Sequence, residues 1–189
     1  MMLKDTSHRY GALSQCLHWS SAILVIALFS IGLWMVELGY YDNYYHQAPA
    51  LHISLGILLF GLTLVRIFWR LSQASPQAIV GTSKWQHQLA LTIKWLLLSL
   101  LTLLAITGYL ITSAEGAGAS FFDWFTIPSS IQLSSANVDS AGELHEWGAW
   151  LLIALAVLHA GAAFMHHFIK KDETLTRMLP FTKSHNRDT

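Results

Sequence analysis

LHEWGAWLLIALAVLHAGAAFMHHF, residues 144–168, is the stretch that decides the fold. It exceeds the ~20 apolar residues needed to cross ~30 Å of hydrocarbon, yet it carries His145 and His159 inside it. Backbone at membrane depth must satisfy its own hydrogen bonds, so the segment is predicted to be a helix. Fourteen residues separate the two imidazoles, which at about 1.5 Å each is roughly 21 Å along the axis, with a difference of only about 40° in azimuth. Both point to one side of the helix, one near each membrane surface. Ionisable side chains at this depth mark a functional path by default, and neutral imidazole is a good ligand for haem iron or another metal. Two histidines hydrogen-bonded to neighbouring helices would also account for this one helix.

Composition points to the same solvent. Of 189 residues, 53% are hydrophobic and 12% charged, against a charged share of about 25% in soluble domains. That leaves too little polar surface to solvate a globule of this size, so the bilayer takes the place of water. The single cysteine, Cys16, excludes an intrachain disulfide and a cysteine cluster for zinc or iron–sulfur binding. It reads as a small apolar filler. Lys4 and Arg9 precede a long apolar run with no small-residue cleavage site after a short core, the pattern of an uncleaved first span and not of a signal peptide. Membrane lipid is the expected surrounding, and nothing in the charge pattern points to nucleic acid.

Three further apolar runs cover residues 17–38, 50–69 and 89–112. Four spans with short connections predict an all-α, up-down transmembrane four-helix bundle, a single domain over residues 1–189. The linker 39–49 is Tyr-rich, 72–83 holds Pro76 and Gly81, and 113–142 is the one long loop. Phe121, Phe122, Trp124 and Phe125 in that loop suit the headgroup level. Trp19, Trp69, Trp85, Trp95, Trp147 and Trp150 are expected near span ends as an aromatic belt.

With these spans all eleven Lys and Arg lie on, or nearest to, one side: Lys4, Arg9, Arg66, Arg70, Lys84, Lys94, Lys170, Lys171, Arg177, Lys183 and Arg187. By the positive-inside rule that side is the cytoplasm and both termini face it. The other side carries Glu37, Asp42, Glu115, Asp123, Asp139, Glu143 and Glu146 with no basic residue. Orientation assigns depth. His18 opens span one at the inner side and His52 opens span two at the outer side, so His145 is level with His52 and His159 with His18. Two imidazoles at each of two depths is what two bis-histidine haem b groups require. An iron held from both sides has no vacant position, so such a haem carries electrons and does not bind oxygen.

The fourteen-residue interval recurs. His52 is followed by Arg66, His18 by Gly32 and Lys94 by Gly108. Arg66 therefore falls near the inner haem, within reach of a propionate or another carboxylate or of the cytoplasmic headgroups. The two glycines fall at outer-haem depth, where a flat macrocycle needs close backbone or where helices simply touch. His166 and His167 at the inner boundary are open to a propionate, a quinone carbonyl or the headgroups. His8, His46, His87 and His185 fall in tails or loops and are expected to be solvated. Glu143 and Glu146 flank His145, either to tune the outer haem and conduct protons or as helix-N-terminal carboxylates favoured by the dipole.

These residues together resemble the bacterial cytochrome b561 family, whose four-helix dihaem members include superoxide oxidase. The matching stretches are Leu17-His18-Trp19, LHISLG over residues 51–56 with Val65-Arg66, Leu144-His145-Glu146, Leu158-His159-Ala160, His166-His167-Phe168 and KDETLTRMLP over residues 171–180. The resemblance covers nearly the whole chain outside residues 113–142. It implies haem ligation by His18, His52, His145 and His159, and electron exchange with a ubiquinone-type quinone in the bacterial inner membrane. The donor it suggests is superoxide at the periplasmic face or a redox protein. Lys94 stands where the family usually has a histidine, and the outer face carries acids where the superoxide oxidases have arginines. A second reading is a haem-bearing anchor that relays electrons for a dehydrogenase or hydrogenase. A third is a haem-free bundle whose histidines bind metal or protons.

Overall fold

The computed structural model describes residues 3–179 apart from Ser75, Val80, Glu115, Ala117 and Gln132. Four helices long and apolar enough to cross a membrane make up most of it: α1 (Ala12–Met35), α2 (Gln47–Ser72), α3 (Lys84–Ser113) and α4 (Ser135–Met165). A π-helical turn, His166–Lys170, continues α4, and a 3₁₀ turn, Thr176–Met178, follows. The architecture is the all-α bundle expected, with α1 packed along α2, α3 along α4, and α2 against α3. α1 and α4 meet through side chains and not through close backbone. Leu28, Leu59, Leu100, Leu101 and Leu152 form a buried cluster to which all four helices contribute. In each helix these leucines fall between the two histidine levels, so the core is an apolar septum dividing the upper and lower halves of the bundle.

The helix ends depart from the apolar runs, most of all in α4. It starts at Ser135, nine residues before residue 144, so the loop expected over 113–142 is shorter. Hydropathy locates the hydrocarbon, whereas a helix in water ends where its capping chemistry changes. Ser134 supplies extended backbone at the α4 N-cap. At α3, Ser83 and Gln86 form a reciprocal capping box, which places the start at Lys84 and not at residue 89. His87, expected in a loop, lies in the first turn of α3.

The α3–α4 connection contains a small hairpin, β1 (Ala119–Phe121) paired antiparallel with β2 (Phe125–Ile127). Its turn holds Phe122 and Asp123 at φ 47° and 58°, the left-handed pair that a tight hairpin requires. Ser54 Oγ of α2 accepts a hydrogen bond from Phe122 N at 3.0 Å while donating to its own helix at Ala50 O, 2.9 Å. The hairpin is thereby pinned beside His52. Trp124, at its tip, is 80% exposed.

At the opposite end the chain folds back as a strap. Lys171, in the left-handed conformation at φ 53°, ends the π-turn. Trp19 Nε1 donates to Met178 O at 2.9 Å, Gln15 Nε2 to Arg177 O at 3.2 Å, and Arg177 Nη1 to Gln77 O at 2.8 Å. Trp69 Nε1 donates to Ser14 Oγ at 2.9 Å, fixing the end of α2 to the start of α1. Glu115, Pro180, Lys183, His185 and Arg187 lie outside the described residues.

Candidate functional site

The helix register brings four histidines together in two pairs. His18 of α1 faces His159 of α4 with ring centres 6.3 Å apart and planes at 75°. His52 of α2 faces His145 of α4 at 6.2 Å and 66°. The first pair lies at the end of the bundle where α1 starts and α4 stops, the second at the hairpin end. Two metal–imidazole bonds of about 2 Å, together with the size of the rings, put the centres of opposed ligands about 6 Å apart. Both pairs have that separation. Among the described residues no three of His, Cys, Asp and Glu come together, so the imidazole donors meet in twos, the number of axial positions on a haem iron.

The hairpin-end pair is lined by small groups. A Cβ on Gly32 would lie 3.3 Å from His52 Cε1, and one on Gly108 would lie 3.2 Å from His145 Cε1. Each imidazole thus lies against bare backbone of the neighbouring helix. Thr107 Oγ1 lies 3.0 Å from His145 Nδ1 and also 3.0 Å from Leu103 O. The hydroxyl has one hydrogen, which goes to the carbonyl, so it accepts from His145 Nδ1–H. That tautomer leaves Nε2 as a free donor atom, the arrangement usual for a metal-binding histidine. His52 Nδ1 is buried, with the Leu28 backbone as its neighbouring acceptor but no well-formed hydrogen bond.

The pair at the opposite end, His18 and His159, is lined by cations. Arg66 Nη2 lies 3.0 Å from His18 Nδ1, and a guanidinium only donates, so in this arrangement His18 Nδ1 accepts. Lys94 and Arg66 both act electrostatically on His159. The residues thus repeat: His18 and Gly32 of α1 correspond to Lys94 and Gly108 of α3, and His52 and Arg66 of α2 correspond to His145 and His159 of α4. In both hairpins the glycine of the first helix abuts the histidine of the second.

Thr107 was not singled out by sequence. The available signal was a hydroxyl beside Gly108 in an otherwise apolar span. Glu143 and Glu146 are not at the α4 N-terminus, since the helix begins at Ser135; the dipole acts within the first turn, so that reading of them falls. Trp150 is not at a span end either. It meets Phe29 edge-on at 4.9 Å across the α1–α4 seam, between the two histidine levels.

His166 is engaged locally: its Nδ1 lies 2.5 Å from Asp172 Oδ2 and 3.3 Å from Thr174 Oγ1. Partial burial works against the Asp172 carboxylate, but hydrogen bonds from Thr174 and His166 outweigh it and hold the carboxyl below its usual value. This cluster anchors the strap to the end of α4. Cys16 is free and exposed on α1.

The sequence pattern described as prokaryotic cytochrome b561 matches residues 9–181. The chain belongs to this family. It is 44% identical over 179 residues to "Cytochrome b561 homolog 2" of Escherichia coli strain K12, covering 95% of each chain. It is 29% identical over 174 residues to "Probable superoxide oxidase CybB" of Yersinia pestis, covering 91% of this chain and 96% of that one. "Cytochrome b561 homolog 1" of the same Escherichia coli strain is 25% identical over 179 residues. As a cytochrome b561 the protein is a membrane electron-transfer protein, and membership implies binding of haem b. Four membrane-spanning helices in a prokaryotic family of this kind make it a multi-pass protein of the inner membrane.

Proposed function

We propose that the chain is a single-domain dihaem cytochrome that carries electrons from a donor at the periplasmic face to a ubiquinone-type quinone. His52 and His145 hold the outer haem, and His18 and His159 the inner one. The observation that carries this reading is the pair of imidazole pairs, each at the separation that one metal takes. Bound haem would supply one-electron chemistry, and ligation by two imidazoles from different helices would leave no vacant position for dioxygen. Arg66 and Lys94 would neutralise anionic groups at the inner site. The strap is held to the His18 end of α1 by the hydrogen bonds of Gln15 and Trp19.

The termini face the cytoplasm in this reading, because the basic residues gather at their end of the bundle. Tags on either terminus are expected to be reachable only from the cytoplasmic side. Labelling from the periplasm in intact cells would invert the inner and outer assignments.

Superoxide is the donor we favour, supported by similarity to the superoxide oxidase named above. Two superoxide anions each release one electron and leave as dioxygen, and the two electrons with two protons turn one quinone into its quinol. Stopped-flow haem reduction by superoxide, with and without quinone, tests the reading directly. Haem that stays oxidised with superoxide but is reduced by a copurifying soluble subunit would instead support the relay reading. The acidic hairpin end repels an anion over roughly a Debye length, ~8 Å at physiological salt. Haem reduction by superoxide is therefore expected to accelerate as ionic strength rises, and Asp42→Asn, Asp139→Asn or Glu143→Gln is expected to speed it. A rate that falls with salt would mean that a local positive field governs access.

A further inference from the structure

Resting on the dihaem reading, we propose that Lys94 and Arg66 form a cation pair at the inner haem that raises its reduction potential above that of the outer haem. The direction of electron flow through the bundle follows from that ordering. Gly32 abuts His52 and Gly108 abuts His145, so α1/α2 and α3/α4 run antiparallel in the same register. Fourteen residues away, Arg66 on α2 meets His18 on α1 at 3.0 Å. The same step on the other hairpin brings Lys94 on α3 level with His159 on α4, and Lys94 is among the charges acting on that imidazole. Each inner histidine therefore has a cation from its own hairpin.

No carboxylate among the described residues compensates these two cations. The only ion pairs among the described residues are His166–Asp172 and Arg177–Glu173, so neither Arg66 nor Lys94 is held by a carboxylate. When Nε2 of His18 binds metal, Nδ1 keeps its hydrogen and no longer accepts from Arg66, which leaves the guanidinium to serve an anionic partner. The outer pair has neutral surroundings, a hydroxyl and two glycines. Reduction adds one negative charge to a haem. Fixed cations stabilise that state, and the effect is large in a poorly solvated site. The outer haem is then the entry point and the inner haem the sink.

Lys94 is a positioning residue in this scheme, and its test is a potential, not a rate. The full chain is purified with haem and its content measured by pyridine haemochrome. Redox titration followed by absorbance then resolves the two components, which are assigned by their loss in His18→Ala and His52→Ala. The higher-potential component is expected to be the one lost in His18→Ala. Lys94→Met and Lys94→Gln are expected to shift that component about tenfold toward the oxidised form, ~59 mV for a one-electron couple. The outer component should stay in place, and Lys94→Arg should keep the wild-type value. Unchanged potentials in both neutral variants at full haem content would overturn the proposal, as would an inner component lying below the outer in the wild type. Loss of the inner haem from both neutral variants but not from Lys94→Arg would overturn tuning in favour of a purely structural role. One haem per wild-type chain, seen before any titration, would overturn the dihaem reading and this inference with it.

Discussion

Alanine at His52 and alanine at His145 are expected to abolish the same absorption component, while alanine at His18 and at His159 abolishes the other. The effect is large because each iron depends on one imidazole from each of two helices. Every pair is set by helix packing across an interface, with ring centres 6.2 and 6.3 Å apart, and a lost ring leaves a gap that no neighbouring donor fills. Near Gly32 and Gly108 the closest side-chain atoms are those of the histidines themselves. Haem content and low-temperature spectra of the four variants check this. If His18→Ala and His52→Ala removed the same component, the pairing across α4 would be wrong. If either removed both, the haems would not be independent sites.

The histidine register was legible in the sequence for a physical reason. In hydrocarbon the backbone has no alternative to a regular helix, so an interval of fourteen residues translates directly into height and azimuth. His18, His52, His145, His159, Arg66, Gly32 and Gly108 could all be placed in this way. What lay outside the hydrocarbon was not legible. There a helix can continue in water on capping alone, as α4 does from Ser135. The hairpin of residues 119–127 depends on Ser54 of another helix, and the strap depends on carbonyls of Arg177 and Met178 reached by Gln15 and Trp19 more than 150 residues earlier. Contacts of such sequence separation leave no periodicity to read. The same holds for Trp150, whose composition suggested an interfacial ring but whose partner, Phe29, lies within the bundle.

Gly108→Leu and Gly32→Leu are expected to eliminate the outer haem and spare the inner one. A Cβ alone at these positions would stand 3.2 and 3.3 Å from an imidazole carbon, closer than ordinary van der Waals contact. Gly→Ala therefore asks the ring to yield by a few tenths of an ångström and is expected to lower haem retention only partly. Leucine adds three more carbons in the direction of the ring. Overpacking of this kind costs about 1–3 kcal/mol even where the surroundings adjust, and here the adjustable group is the ligand itself. Moving it breaks the 6.2 Å separation from its partner. Gly61 supplies the control, since a Cβ there meets nothing within 4 Å; Gly61→Ala should leave both haems in place while gaining up to about 1 kcal/mol of helix propensity. Absorption spectra of the purified variants separate the outcomes: selective loss of the component that His52→Ala also removes is the expected result. Equal loss of both components would point to a misassembled bundle, and full retention in Gly108→Leu would show that the outer macrocycle does not lie against α3.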